Sequence, residues 1–441
     1  MCEHIINLRS FLTLAQKTAN LQSLYFCLKS AMIVLVVQLC EERASGKGKD
    51  LNENEKYFVL LIASYLNQEE PPTAGNKIDW EEIYRLSAIH NVAAITANQI
   101  LQLKGSSLPN DELLSKFRQQ IGYTVIDAAE KEETVAFIKD LLCNAGIDFL
   151  FVKGAILKKY YPIPEFRTGS DTDVIIRNED IKKCAQVFCA KNCVVKTESA
   201  NGFSVLYKKQ HIEIHGTQDY DHAFFADIFD MCTKNGNEYR LKAEYHLLYV
   251  LCHIIKHFKN CGAGIKMFMD IDVLLRREKE LDIALFCNLC TKLNIETFAK
   301  ASFALCHYWF KTPIKRETDV KLDPQLKELF ETEILNSGNF GFNARDLGDF
   351  YINKAIGKSG KNGTGAKIRA IFKMLFPPKK YLESKYGYVK KRPYLLPLAW
   401  ISRLCAAVFK RSAHSASTIR SILHTGTDAE QYKKLLNELG I

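Results

Sequence analysis

The stretch Asp171-Thr172-Asp173-Val174-Ile175-Ile176 constrains this chain more than any other. In an extended strand, side chains alternate between faces, so Asp171 and Asp173 share one side while Val174 and Ile176 turn to the other, toward a core. Two carboxylates on one face, roughly 6.5–7 Å apart along the backbone, are costly to pack together without a cation. Mg²⁺ resolves that repulsion because it favours carboxylate oxygens and triphosphates. Seventeen positions before Ser170 stands Lys153-Gly154-Ala155, and about forty residues after it comes Ile212-Glu213-Ile214-His215. The pattern reads as a metal-dependent site for a nucleoside triphosphate.

The surrounding sequence predicts an α+β fold, a small mixed β-sheet domain between helical N- and C-terminal regions. Residues 1–50 read as a helical extension ending in a polar Ser45–Asp50 linker. Residues 51–145 form a helical leader: a helix over 55–67, a break at the Pro71-Pro72 stretch, a helix from Trp80 with Asp79 as its N-cap, and a long helix from Asp111 to about Cys143. The mixed α/β unit is expected over 146–236. It holds a strand at 147–152, a short helix at 155–161, the strand at 171–177, a helix over 179–191 capped by Asn178, and strands near 193–198, 203–208 and 211–215. A helical domain follows over 237–345, with helices at 241–258, 265–277, 280–292 and 296–310 and a Gly/Asn-rich loop over 335–342. The last region, 346–441, reads as mostly helical, with breaks at 357–365 and Pro377-Pro378 and a final helix over 428–439 capped by Asp428.

With 441 residues the chain can hold two or three domains and a large core. Its fourteen cysteines follow no framework spacing, and Cys143, Cys252 and Cys306 sit within apolar helical patterns. Buried reduced thiols and a cytoplasmic setting follow. Cys287-Asn288-Leu289-Cys290 has no second pair to complete a zinc site and reads as core. The apolar run 30–40 is eleven residues long, short of the ~20 that span a bilayer, so no transmembrane segment is expected. Residues 351–420 hold sixteen Lys or Arg and one acid, Glu383, while the whole chain carries +10. Such a segment suits a polyanionic partner or is a solvated basic surface.

Nucleotidyl transfer needs two metal ions about 3.5–4 Å apart, holding the attacking oxygen and the leaving pyrophosphate in line. Asp171 and Asp173 can bridge two such ions, and Glu213 can act as third ligand, as general base for an acceptor hydroxyl, or as both. Gly154, at a strand-to-helix turn, lets backbone N–H groups approach phosphate. Lys153 and Arg167 can neutralise charge on the leaving group, and Ser170 can bind a phosphate oxygen or shape the turn. Arg167 equally suits a loop salt bridge, and His215 either the site or structural packing. His253 and His257 share a helix face at i,i+4, as zinc ligands do, but with no third ligand they read as substrate contacts or packing. Asp270 and Asp272 suit a helix surface or an interdomain contact.

The stretch Phe151-Val152-Lys153-Gly154-Ala155, with Leu157, Tyr160-Tyr161-Pro162, Arg167 and Asp171-Thr172-Asp173-Val174, resembles the bacterial "uncharacterised nucleotidyltransferase" family. That family belongs to the DNA polymerase β-like nucleotidyltransferase superfamily. The similarity extends to 211–215, to His253 and His257 with Asp270, and onward to 336–341, 376–378 and 396–398, covering roughly 51–410. It implies a Mg²⁺-dependent enzyme, with two ions, that moves a nucleoside monophosphate from an NTP to an acceptor hydroxyl and releases pyrophosphate. Asp171, Asp173 and Glu213 would carry the metal. The chain departs from the family pattern at Ala155, where many relatives have Ser or Gly. The resemblance supplies a reaction class and leaves the acceptor open: a sugar phosphate, an RNA or a protein. A degenerate nucleotide- or nucleic-acid-binding module, or a membrane-surface accessory protein of a polysaccharide pathway, is the alternative.

Overall fold

A computed structural model of the chain describes residues 51–338 except 105–107, 200, 218–222, 261, 279 and 314–320, together with 376, 379–382, 394, 396, 399, 400 and 432–441. The expectations for 1–50 and for most of 346–431, including the apolar run, the greater part of the basic segment and Asp428, lie outside the described residues. The chain divides into two compact units. One is Gly48–Ala344 with Tyr432–Ile441, and the other is Met1–Lys47 with Arg345–Gln431. In the second, the short helix Lys379–Leu382 buries Leu382 beside Ala399, with Leu396 and Trp400 packed against them.

The larger unit is α+β. Its helices are α1 Glu53–Asn67, α2 Trp80–Ile89, α3 Ala93–Ile100, α4 Asp111–Asn144, α5 Gly154–Leu157, α6 Ile181–Ala190, α7 Ala243–Asn260, α8 Ile265–Arg277, α9 Ile283–Lys292, α10 Glu296–Phe310 and α11 Pro324–Ser337. Its strands are β1 Phe149–Phe151, β2 Asp171–Ile176, β3 Val194–Ser199, β4 Gly202–Tyr207, β5 Gln210–Gly216, β6 Cys232–Asn235 and β7 Glu238–Leu241. They form one seven-stranded sheet in the order β3-β4-β5-β2-β1-β7-β6. The β2–β5 and β1–β7 pairs are parallel and the others antiparallel.

Several elements differ from the sequence reading. The hairpin β6–β7 extends the sheet where only a loop and a helix were expected. Its turn, Gly236-Asn237, has Gly236 at φ +61°, which a glycine adopts without a Cβ clash. Helices α3 and α11 were not read, and α11 runs to Ser337 through the start of the expected Gly/Asn-rich loop. Asn178 does not cap a helix: it opens a 3₁₀ turn, and its Nδ2 donates to Thr217 Oγ1 at 2.8 Å. Asp79 does cap α2, accepting from Glu81 and Glu82 N–H. Cys143 is exposed rather than buried, and no described cysteine is in a disulfide.

Both faces of the sheet are packed at its centre. Thr172, Val174 and Ile176 alternate onto one face with Ile212 and Ile214 of β5. There Val174, Ile176, Ile212 and Ile214 pack with Phe149, Phe151 and Phe203 against Ile138 and Leu142 of α4 and Phe188 of α6. Burial of each such side chain contributes about 1.5–3 kcal/mol. The opposite face carries Leu150, Val152 and Ile175, and it meets a larger core from α1–α3, the start of α4 and α7–α11. Tyr432, Leu435 and Leu439, far along the chain, join that core. Ile175 is thus buried as fully as its neighbours, and β2 is apolar toward two cores beyond its first three residues. Among the described residues, no helix is long and apolar enough to cross a membrane.

His90, which ends α2, fastens three helices. Its ring stacks on Phe58 of α1, its Nε2 lies 3.0 Å from Leu335 O of α11, and Ile265 N–H of α8 donates to its Nδ1 at 3.4 Å. With one nitrogen donating and the other accepting, the neutral ring is satisfied. Burial therefore pulls its pKa down to about 4. A base depressed in the folded state contributes stability that is present above its unfolded value, near 6.5, and is lost as pH falls through 4. Urea denaturation should show stability falling over that window. In His90→Leu the slope should be shallower by up to about 1.4 kcal/mol per pH unit, the loss of one proton's linkage; an unchanged slope would contradict the neutral buried ring.

Candidate active site

β1 and β2 run antiparallel, with Phe151 opposite Val174, so the chain leaves β1 at the same end where β2 begins. Val152 N–H donates to Asp173 O at 3.3 Å. The next residue, Lys153, turns sharply at φ +52°, ψ −126°, a conformation that side chains with a Cβ rarely adopt. Strain of this kind costs on the order of 1–3 kcal/mol and clusters at functional sites. It delivers Lys153 Nζ to 2.6 Å from Asp173 Oδ1. The helix begun at Gly154 has only four residues, so little macrodipole builds up at the turn. Gly154 also has a steric reason: a Cβ there would stand 2.4 Å from Arg167 Nη1.

The β2–β5 pairing brings the acids together. In its register Asp171 faces His211, Asp173 faces Glu213 and Ile175 faces His215. His215 Nε2 lies 3.4 Å from Asp173 Oδ1 and 3.3 Å from Glu213 Oε2. One ligand atom from each of Asp173, Glu213 and His215 falls within 4.8 Å of the others. Asp171 lies outside that trio, and Ser170 Oγ donates to its Oδ1 at 3.1 Å.

The electrostatics follow from this crowding. Burial opposes the charge on Asp173, yet the hydrogen bond from His215 and the Lys153 ammonium outweigh it and hold the carboxyl at about 2. Burial also opposes charge on His215, and its bonds to Asp173 and Glu213 prevail, raising it to about 9. The His215 bond keeps Glu213 below the usual carboxylate range despite burial. Asp171 has no such partner: burial, then the neighbouring Asp173 charge, push it up. Two positive side chains therefore stand where the carboxylates need a cation. Two carboxylates and an imidazole at this spacing fit a divalent metal ion, whose entry would displace the His215 proton.

A pocket of about 170 Å³ opens beside this cluster. Lys153, Gly154, Arg167, Ser170 and Asp171 line one side, and His253, His257, Lys266 and Asp270 line the helical side. Asp173, Glu213 and His215 are not among the lining residues; Lys153 and Asp171 connect the two regions. Arg167 is in the salt bridge that its loop position allowed. Its Nη2 lies 2.8 Å from Asp270 Oδ2, its Nε donates to Oδ1 at 3.2 Å, and Tyr161 OH donates to the same Oδ1 at 2.7 Å. Asp270 and Asp272 are both buried, not surface positions. The rings of His253 and His257 meet edge-to-face at 4.5 Å.

The loop before β2 is held from every side. Tyr65 OH bonds both N–H and C=O of Ile163, Thr168 Oγ1 donates to Asn91 O at 2.6 Å, and Lys131 donates to Gly169 O. Thr168 O accepts from Arg167 and from Lys266. Lys266 and the lining role of Asp270 were not read from the sequence. Their signal was present, because Lys266 and Asp270 are charged residues at i,i+4 within the apolar run 265–271.

The family model described as "uncharacterised nucleotidyltransferase" matches residues 76–311, more than half of the chain. The chain belongs to that family. It is a nucleotidyltransferase, and the match takes in β1, β2, β5 and every residue of the cluster and pocket named above. The segments near 336–341, 376–378 and 396–398 lie beyond the matched span. Among solved structures, the crystal structure of the Megavirus polyadenylate synthase aligns at TM-score 0.27 and 13% identity, over 77% of this chain and 78% of that chain. A likeness that slight informs neither fold nor substrate. None of the curated proteins matches.

The Arg167–Asp270 pair joins the loop of the nucleotidyltransferase sheet to α8. Arg167→Met would leave the Asp270 carboxylate buried without its counter-charge, and a loss of about 3–5 kcal/mol is expected in urea denaturation. Arg167→Met/Asp270→Asn should lose less than the two single changes together. Additive losses would show that the pair does not couple.

Proposed function

We infer that the enzyme transfers a nucleoside monophosphate from an NTP to an acceptor hydroxyl with Mg²⁺ as cofactor and pyrophosphate as the leaving product. The observation that carries this reading is the β2–β5 register, which sets Asp173 against Glu213 with His215 between them, one lysine away from a cation-lined pocket. Asp173 and Glu213 would hold the ion, with Asp171 on the same strand face completing the acid set on the pocket side. Bound there, the ion would polarise the α-phosphate and lower the pKa of the acceptor hydroxyl.

The chain's own groups have distinct tasks. The acceptor oxygen bonds to the α-phosphorus as the bond from that phosphorus to the β-phosphate bridging oxygen breaks. The electron pair leaves on pyrophosphate, and the acceptor proton passes to a site carboxylate. Lys153, pinned to Asp173, stands between the acids and the pocket, where it offsets negative charge as the bond breaks. Ala155 supplies no hydroxyl to the triphosphate. The exposed Ser170 hydroxyl, at the pocket's rim, is the side chain that takes that place.

The acceptor is a hydroxyl of a sugar phosphate, an RNA or a protein. An RNA acceptor would engage the basic 351–420 segment, and its binding would weaken steeply with salt.

The test is calorimetric titration of each common NTP with and without Mg²⁺, paired with a pyrophosphate-release assay. Wild type should bind one NTP in a Mg²⁺-dependent way. Asp173→Asn, nearly isosteric, should keep its fold by circular dichroism and lose detectable release. An Asp173→Asn enzyme with wild-type turnover would remove the basis for this reading.

A further inference from the structure

Lys266, the second residue of α8, has a side chain enclosed by protein and only 6% exposed. Its Nζ donates to Thr168 O at 3.2 Å, and no carboxylate among the described residues forms an ion pair with it. The other cations of the pocket are already neutralised, Lys153 by Asp173 and Arg167 by Asp270. An ammonium out of water with no ion-pair partner is unfavourable, and burial, then the Arg167 charge, pull Lys266 down to about 7 against the more distant carboxylates of Asp270 and Asp171. On the adjacent α7, His253 Nδ1 is buried without a hydrogen-bond partner and belongs to the same pocket lining. Burial keeps that ring neutral, so its tautomer can donate one N–H. Both residues line the same small cavity, one from each helix. The remaining wall is mostly apolar, formed by Leu157, Tyr249, Val250, Ile254 and Met267, and strengthens any charge interaction inside.

A multi-oxygen anion satisfies both groups together. The pocket begins at Asp171 and Lys153, where the metal-binding acids end, so it receives whatever continues from the reacting phosphorus. At about 170 Å³ it is smaller than the roughly 300 Å³ and upward of sites that enclose whole organic ligands. Its size and charge suit phosphates better than a nucleoside. We propose that Lys266 anchors the β- and γ-phosphates of the donor NTP, with His253 as a neutral second donor, so that pyrophosphate departs from this pocket. The assignment rests on the nucleotidyl-transfer reading above, but its test requires no turnover.

Calorimetric titration of inorganic pyrophosphate, in EDTA, is read on wild type, Lys266→Met and His253→Leu. Wild type should bind pyrophosphate. Lys266→Met should bind it at least about tenfold more weakly, and His253→Leu about threefold more weakly. AMP, which lacks the leaving phosphates, should give the same titration on all three. Lys266→Met replaces a buried amine that has no ion-pair partner with an apolar side chain, so its melting temperature should not fall. If it does, Lys266→Gln, which keeps a donor toward Thr168 O, repeats the comparison with the same expectation. Pyrophosphate affinity unchanged by both Lys266 variants would overturn the proposal, as would AMP affinity falling by the same factor as pyrophosphate. Lys266-dependent pyrophosphate binding in a protein with no NTP turnover would leave this pocket standing and remove the transfer reading alone.

Discussion

Parallel pairing of β2 with β5 places Asp173 directly across from Glu213. Adjacent strands are only about 4.8 Å apart, so two carboxylates in that position repel unless positive charge stands between them. Here it comes from two sources. His215, two residues after Glu213 on the same strand face, bridges both acids, and Lys153 reaches Asp173 from the strained turn after β1. The same repulsion that a metal ion would relieve is met by a protonated imidazole and an ammonium. Lys153 holds a disfavoured backbone conformation in the turn that follows β1, at the level of Asp173.

The pocket depends on a second set of contacts, those that fix the 163–170 loop. Loops with this many backbone groups away from water must have partners for them. The partners come from α1, the 90–91 segment, α4 and α8, all outside the strands. The helical leader and the helices after β7 form one core over one face of the sheet, and that core supplies the pocket's inner wall. The sheet and its helical surround are thus parts of one candidate site: the sheet contributes acids, and the helices contribute Arg167's counter-charge, Lys266 and the two histidines.

Much of this was legible in the chain. The alternation at 171–176 and 211–215 named the acid-bearing faces, because period-two patterning is a local property of strands. Asp79 as a cap and the bounds of α8 and α10 followed from equally local rules. The hairpin β6–β7 escaped because its strands are four residues long and mostly polar, although Gly236-Asn237 is a readable turn signal. Asn178 resembled a helix cap and was drawn instead to Thr217, a partner distant in sequence. Asp270 and Asp272 read as helix-surface or interdomain acids; both are buried, Asp270 against Arg167 and Tyr161 of the expected α/β unit and Asp272 against Arg276 and Thr312.

By itself the sequence determined which residues can carry the chemistry: two acids on one strand, a third on another, and a lysine-glycine turn ahead of them. Those follow from strand periodicity and turn chemistry, which act over a few residues. The tertiary structure alone decided the register between β2 and β5, and so that Asp173, Glu213 and His215 form the close cluster while Asp171 faces the pocket. It also decided that Arg167 is neutralised by Asp270 and that Lys266 is not neutralised by any described carboxylate. Charge pairing depends on which groups lie within a few ångströms after folding, and the pairs that matter here join residues more than a hundred positions apart, such as Arg167 with Asp270, or twenty apart across a strained turn, as with Lys153 and Asp173.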